Sequence, residues 1–281
     1  MGREDNVIVF QDTEKQCKTN EKLAQAVKHS AKNQALICEN DEVSTAAEQR
    51  YNKPAKVIVS KKRTYQAASA YKGKKTAVLN FASATNPGGG VVHGSNAQEE
   101  CLCRCSTLYF DLNTKEMWDG FYTPHRNEGN PIHNDDCIYT PDVVVFKTDT
   151  DRPQLMPEDE WYNVNVITCA APNLREKPAN RMNPGDGIGK VKISDRELLA
   201  VHEKRLRRIL DIAVANGDEV VILGAFGCGA FLNSPLVVAT AMRNVVLEYR
   251  NQFETIEFAV YCSPRDDSNF KIFDRVLGNL K

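Results

Sequence analysis

Short β-branched runs alternate with helix-like stretches from residue 56 to the end of this chain, and that alternation predicts an α/β sandwich around a largely parallel or mixed sheet. VIVS at 57–60, VLNFAS at 78–83, CIYTPDVVVFK at 137–147, YNVNVITCAAP at 162–172, VVIL at 220–223 and TIEFAVYCS at 255–263 read as strands. Between them, RTYQAASAYK at 63–72 and SNAQEECLCRCSTLY at 95–109 read as helices, the second with Ser95 or Asn96 as its cap. The clearest helix covers 194–217, with Ser194 as cap and Gly217 as terminator. Pro235 opens another, and a short helix over 268–277 closes the chain. Residues 113–136 and 175–192 hold Gly, Pro, Asn and His or Lys without period and are expected to be irregular. The first fifty residues are polar and alanine-rich, with Leu23, Ala26 and Val27 at helical spacing. The expected division is therefore a helical extension over 1–54, packed on a core domain over 55–281.

The charges nearly cancel, 36 basic against 37 acidic, so no global positive field attracts nucleic acid and a polyanionic ligand must be bound locally. The apolar run at 7–10 is too short for a signal sequence or a membrane span, and Asn6 stands where a myristoylation signal needs Ser or Thr. A cytoplasmic protein with no membrane partner is expected. Nine cysteines then read as thiols in a reducing compartment. Two clusters resemble metal ligand sets. Cys101, Cys103 and Cys105 are two apart on a helix and point in different directions, while His125, His133 and Cys137 fit no familiar zinc spacing. Neither is expected to hold a metal. His202, inside the long helix, reads as a packing or surface residue.

Two glycine-rich loops follow strands, where ligands of such sheets bind. The first, after VLNFAS, contains Gly88, Gly89 and Gly90; the second, after VVIL, contains Gly224, Gly227 and Gly229. Glycine lets backbone N–H groups approach a diphosphate without an intervening Cβ, and a following helix start favours the anion. Neither loop has the Lys and Ser/Thr of a nucleotide triphosphatase loop or the spacing of a dinucleotide fingerprint. Gln98, Glu99 and Glu100 fall in the first turns of the next helix. Acids there stabilise a helix by about 0.3–1 kcal/mol each, which by itself explains a plain acidic start. Consecutive helical residues diverge by about 100°, so Glu99 and Glu100 cannot flank a scissile bond as an opposed pair. One of them can move a proton while its neighbour orients a hydroxyl.

The stretch NFASATNPGGGVVHGSNAQEE, a triple glycine and then seven residues before Gln-Glu-Glu, resembles the signature of poly(ADP-ribose) glycohydrolases. GAFGCGAF at 224–231 is similar to the second phosphate loop of their bacterial form, and the resemblance extends from Val7 to Ile272. It implies a macrodomain, a three-layer α/β/α sandwich, that cleaves ribose-ribose O-glycosidic bonds in poly(ADP-ribose) on modified proteins and releases ADP-ribose, from chain ends as in the compact bacterial form. It also implies Glu100 as the catalytic acid and Glu99 as a ligand to a ribose hydroxyl. Gln98 would hold the loop. Gly88, Gly89, Gly90, Gly227, Cys228 and Gly229 would cradle the diphosphate, with Phe231 packed on the distal ribose and Asn86 reaching the same sugar. A proton donor at neutral pH needs a raised pKa, which burial and repulsion from Glu99 would give Glu100. No cofactor is required, and a monomer is expected. A non-catalytic ADP-ribose reader would not need the second glutamate. Removal of single ADP-ribose groups from proteins is the alternative among enzymes.

Overall fold

The computed structural model describes residues 2–44 and 49–280. Among them seven strands form one sheet: β1 (Ala35–Ile37), β2 (Lys56–Ser60), β3 (Thr76–Ala82), β4 (Cys137–Val145), β5 (Tyr162–Ala170), β6 (Val220–Leu223) and β7 (Thr255–Ala259), in the order β1-β4-β5-β3-β6-β7-β2. From β5 to β2 all neighbours are parallel; β4 runs antiparallel to both β5 and β1. The sheet is thus mixed and mostly parallel.

Pleating divides the strands between two apolar layers. In β3, Ala77 and Leu79 face the cluster that includes Ile209 and Val238, from the helices Asp195–Ala215 and Pro235–Glu248. Val78 faces the other cluster, with Leu102 and Leu108 from the helices Gln98–Cys105 and Leu108–Leu112. Helices cover both faces, which is the expected three-layer sandwich, and the interior strands β3, β6 and β7 are buried almost throughout, with Asn80 and Glu257 as polar exceptions.

The structure differs from the sequence-based expectation in three places. The segment 1–54, apart from residues 45–48, which lie outside the described residues, is not helical throughout. After the helices Arg3–Thr19 and Glu21–Asn33 it supplies β1, the antiparallel edge of the main sheet. Its first helix is fastened to the core through Lys147, whose nearly buried ammonium meets Val9 O at 3.0 Å, Thr13 Oγ1 at 2.8 Å and Asp12 Oδ2 at 2.7 Å.

Residues 115–128 are not irregular but one helical run, Lys115–Met117, a π-turn over Trp118–Tyr122 and Thr123–Glu128. Trp118, Phe121, Tyr122 and His125 have helical spacing, which Gly120 and Pro124 disguised. A Cβ on Gly120 would come within 2.6 Å of the Leu36 side chain on β1, which would have to shift.

The helix after the first glycine loop starts at Gln98 with Ala97 before it and ends at Cys105. Neither Ser95 nor Asn96 caps it. Buried Arg104 takes both, through Ser95 O and Asn96 Oδ1, each at 2.5 Å.

Candidate active site

β3 and β6 are neighbours, so the two glycine loops leave the sheet side by side at its carboxyl edge. A cavity of about 470 Å³ opens between them, bordered also by the ends of β5 and β7 at Ala171 and Tyr261. That volume suits a ligand of nucleotide size.

Gln98, Glu99 and Glu100 line the cavity together. Gln98 is a clasp: its Oε1 accepts the Phe81 N–H at 2.9 Å, and its Nε2 donates to Leu79 O at 2.8 Å and Thr64 Oγ1 at 3.0 Å. It therefore fixes the helix start to the end of β3. Glu99 lies deeper. Its Oε2 accepts the Ser83 N–H at 2.8 Å and its Oε1 the Asn80 amide at 3.2 Å. Burial pushes the Glu99 carboxyl up to about 8; the N–H groups of Ser83 and Gly88 and the Asn80 amide oppose this, and the charge of Glu100 adds to it. Desolvation thus outweighs the helix dipole, worth about 0.3–1 kcal/mol in favour of the anion. Glu100 accepts the Gly90 N–H at 2.9 Å on Oε1 and the Ala97 N–H at 2.8 Å on Oε2. These two bonds use two of about four acceptor sites on a carboxylate, leaving the others for a ligand or a proton.

The triple glycine serves these carboxylates. Gly88 and Gly90 donate their N–H groups to Glu99 and Glu100, and Gly89 donates to Asn86 O at 2.9 Å. The loop is also too crowded for side chains. A Cβ on Gly88 would meet the Tyr109 ring at 2.7 Å, and one on Gly90 would meet Ser95 Oγ at 2.2 Å. Of the three, only Gly89 borders the cavity. The donors expected to cradle a diphosphate from this loop are therefore already engaged, a correction that follows from where the N–H groups point. Asn86 does not line the cavity either. Its amide donates to Gly89 O, and its Oδ1 accepts from Arg126 at 3.3 Å.

The second loop has donors to spare. Gly227, Gly229, Ala230 and Phe231 line the cavity, and the N–H groups of Gly227, Gly229 and Ala230 find no backbone acceptor among the described residues. Cys228 points away, its thiol directed at Phe226 O. Asn233 holds this loop in shape: its amide donates to Pro172 O at 2.7 Å, Gly227 O at 3.1 Å and Phe231 O at 3.3 Å. Its Oδ1 accepts from His202 Nε2 at 2.8 Å. Burial drives His202 down to about 4, so the ring is neutral at pH 7 and carries its proton on Nε2. His202 is thus a buried brace for the loop. Leu232, with φ +60°, has a strained backbone that a bulky residue rarely adopts, and it lies where the chain turns from Phe231 back to Asn233.

Asn80, Ser83, His202 and Asn233 were not assigned to the site from sequence. A polar residue inside the apolar run VLNFA was the one local signal, at Asn80. His125 and His133 have both ring nitrogens engaged, with Phe121 O and Asn134 Oδ1, and with Ala171 O and Asp186 Oδ1. Among the described residues no group of three His, Cys, Asp or Glu is placed to hold a metal ion, and no helix is long and apolar enough to cross a membrane.

The profile of the family described as microbial-type PARG, catalytic domain, matches residues 5–148. A search of curated proteins gives no match. Among solved structures, the poly(ADP-ribose) glycohydrolase of Thermomonospora curvata is similar with a TM-score of 0.83 at 26% identity, over 97% of this chain and 99% of that one. The Deinococcus radiodurans enzyme in complex with ADP-ribose gives 0.75 at 30% identity, over 90% and 97%. The Thermomonospora curvata enzyme bound to the inhibitor ADP-HPD gives 0.77 at 25%, over 97% and 99%.

Proposed function

The chain belongs to the microbial-type PARG family, and from that premise we propose that it is a poly(ADP-ribose) glycohydrolase that releases ADP-ribose from chain ends. The observation that carries the reading is the pair of buried carboxyls, Glu99 and Glu100, held by backbone N–H groups beside a nucleotide-sized cavity.

The terminal ADP-ribose enters with its diphosphate on the free N–H groups of Gly227, Gly229 and Ala230 and its distal ribose between Phe231 and the carboxyls. Glu100 gives its proton to the departing 2′-oxygen as the bond from that oxygen to the anomeric carbon of the distal ribose breaks. The sugar becomes oxocarbenium-like, water adds to it, and the water's proton returns to Glu100. Glu99, deeper and tied to Ser83 and Asn80, orients a ribose hydroxyl. The diphosphate stabilises the developing positive charge. The protein works as a monomer in the cytoplasm, and poly(ADP-ribosyl)ated proteins are its substrates.

The test treats poly(ADP-ribosyl)ated protein with wild type and Glu100→Gln. Wild type releases free ADP-ribose, and the variant binds ADP-ribose with similar affinity but turns over polymer at least about a hundredfold more slowly, the range of a lost general acid. Equal turnover removes Glu100 from the role. Binding without turnover by both proteins makes the chain a reader.

A further inference from the structure

The arm formed by residues 175–192 runs along the reacting side of the cavity without being part of the carboxylate or diphosphate machinery. It begins beside Phe231, whose carbonyl accepts the Leu174 N–H at 2.9 Å. It then reaches the first glycine loop: a Cβ on Gly90 would lie 2.9 Å from the Met182 sulfur, and Asn183 enters the cavity lining. It is anchored from below, Asp186 being buried against His133 at 3.2 Å and Asn173 at 2.7 Å. Gly185 packs on Arg126 and Gly187 on Gly129 and Pro131.

This arm has five basic residues, Arg175, Lys177, Arg181, Lys190 and Lys192, and two acidic ones, Glu176 and Asp186, in a chain whose charges otherwise nearly cancel. Asp186 is buried and committed, and Glu176 pairs with Lys190 at 2.5 Å. Lys177, Arg181 and Lys192 are exposed and have no carboxylate within ion-pair distance among the described residues.

We propose that the arm is a binding surface for the part of the poly(ADP-ribose) chain that leaves on cleavage. The inference rests on the glycohydrolase reading. When the terminal unit fills the cavity, the bond at Glu99 and Glu100 joins it to the preceding unit, which must emerge past Gly89 and Gly90, where Met182 and Asn183 sit. That unit brings its own diphosphate. The unpaired cations that the arm carries on either side of Met182 and Asn183 attract it, and each ionic contact releases counterions, so affinity depends on salt. The surface selects for polymer over a single ADP-ribose, because only a polymer reaches it.

The experiment compares wild type with the triple variant Lys177→Gln, Arg181→Gln, Lys192→Gln, all exposed loop positions. KM for long polymer is expected to rise about tenfold at low salt in the variant, and the slope of log affinity against log salt to flatten by about 2, at roughly 0.7 per lost contact. The dissociation constant for free ADP-ribose stays at the wild-type value. Unchanged KM and salt slope overturn the proposal, as does an equal loss of ADP-ribose affinity, which would place the effect inside the cavity. An inactive wild type removes the glycohydrolase reading, and filter retention of polymer then decides the arm separately: equal retention of both proteins rejects it. An oligoadenylate retained as tightly as polymer of equal charge assigns the arm to nucleic acid instead.

Discussion

Gly89 and Glu100 are packed so closely that a Cβ on the glycine would stand 2.7 Å from Oε1 of the glutamate, and 3.1 Å from Oε2 of Glu99. The glycine therefore sets the position of both acids, in addition to having a positive φ of +55° that side chains resist.

Gly89→Ala tests this directly. The methyl group has to push the carboxyls aside, and a general acid displaced by an ångström loses on the order of a hundredfold in rate. The expected outcome is kcat on poly(ADP-ribose) down by about that factor, with a loss of roughly 1–2 kcal/mol in unfolding free energy from the strained backbone. Steady-state kinetics and urea titration measure the two effects. Wild-type kcat would mean that the acids do not need the glycine.

His202 gives a stability effect that depends on pH. Burial, against the Asn233 bond, lowers its pKa from 6.5 to about 4, so between these values the unfolded chain binds a proton that the folded protein refuses. Stability from this group is complete above pH 6.5 and is lost as pH falls toward 4. The full effect is about 3 kcal/mol. Urea unfolding of wild type and His202→Gln across this range reads it as the pH-dependent part of their difference. Parallel curves for the two proteins would show that another group controls the acid limb.

Lys147 tests whether the first helix is part of the domain or an appendage. Lys147→Met leaves Thr13 and the Val9 carbonyl without their buried donor and Asp12 without its cation. The cost is expected to be about 1–3 kcal/mol, from buried acceptors that lose their donor, the Asp12 carboxylate being half exposed. Turnover by the folded fraction stays at the wild-type level, because the lysine is not in the cavity lining. A stability loss under about 0.5 kcal/mol would make the helix a loosely docked extension.

Local patterns carried the sheet-and-helix alternation, the two glycine loops and the Gln-Glu-Glu triplet, because each needs only neighbours in sequence to be recognised. The helix start, the loop after β3 and the acids arrive on one continuous stretch from Phe81 to Glu100, so the centre of the site was legible. The division of labour within it was not. Whether the first loop's N–H groups face a ligand or the protein depends on Glu99 and Glu100 folding back under Gly88 and Gly90, which is a matter of side-chain direction. How deeply Glu99 is buried, and that it bonds to Asn80 and Ser83 from the strand beneath and its end, is not a property of the triplet.

The same limit explains the rest. β1 is three residues long and is a strand only because β4 is there to pair with it. His202 and Asn233 are 31 residues apart in sequence, on a helix and a loop, and neither has a reason to be polar and buried until the two meet at 2.8 Å. Sequence determined the family, the layers and the residue types at the reacting centre, since those depend on periodicity and short spacing. Tertiary structure decided which donors are free, which acid is deepest and what braces the second glycine loop, since hydrogen bonds and desolvation act between groups brought together only by the fold.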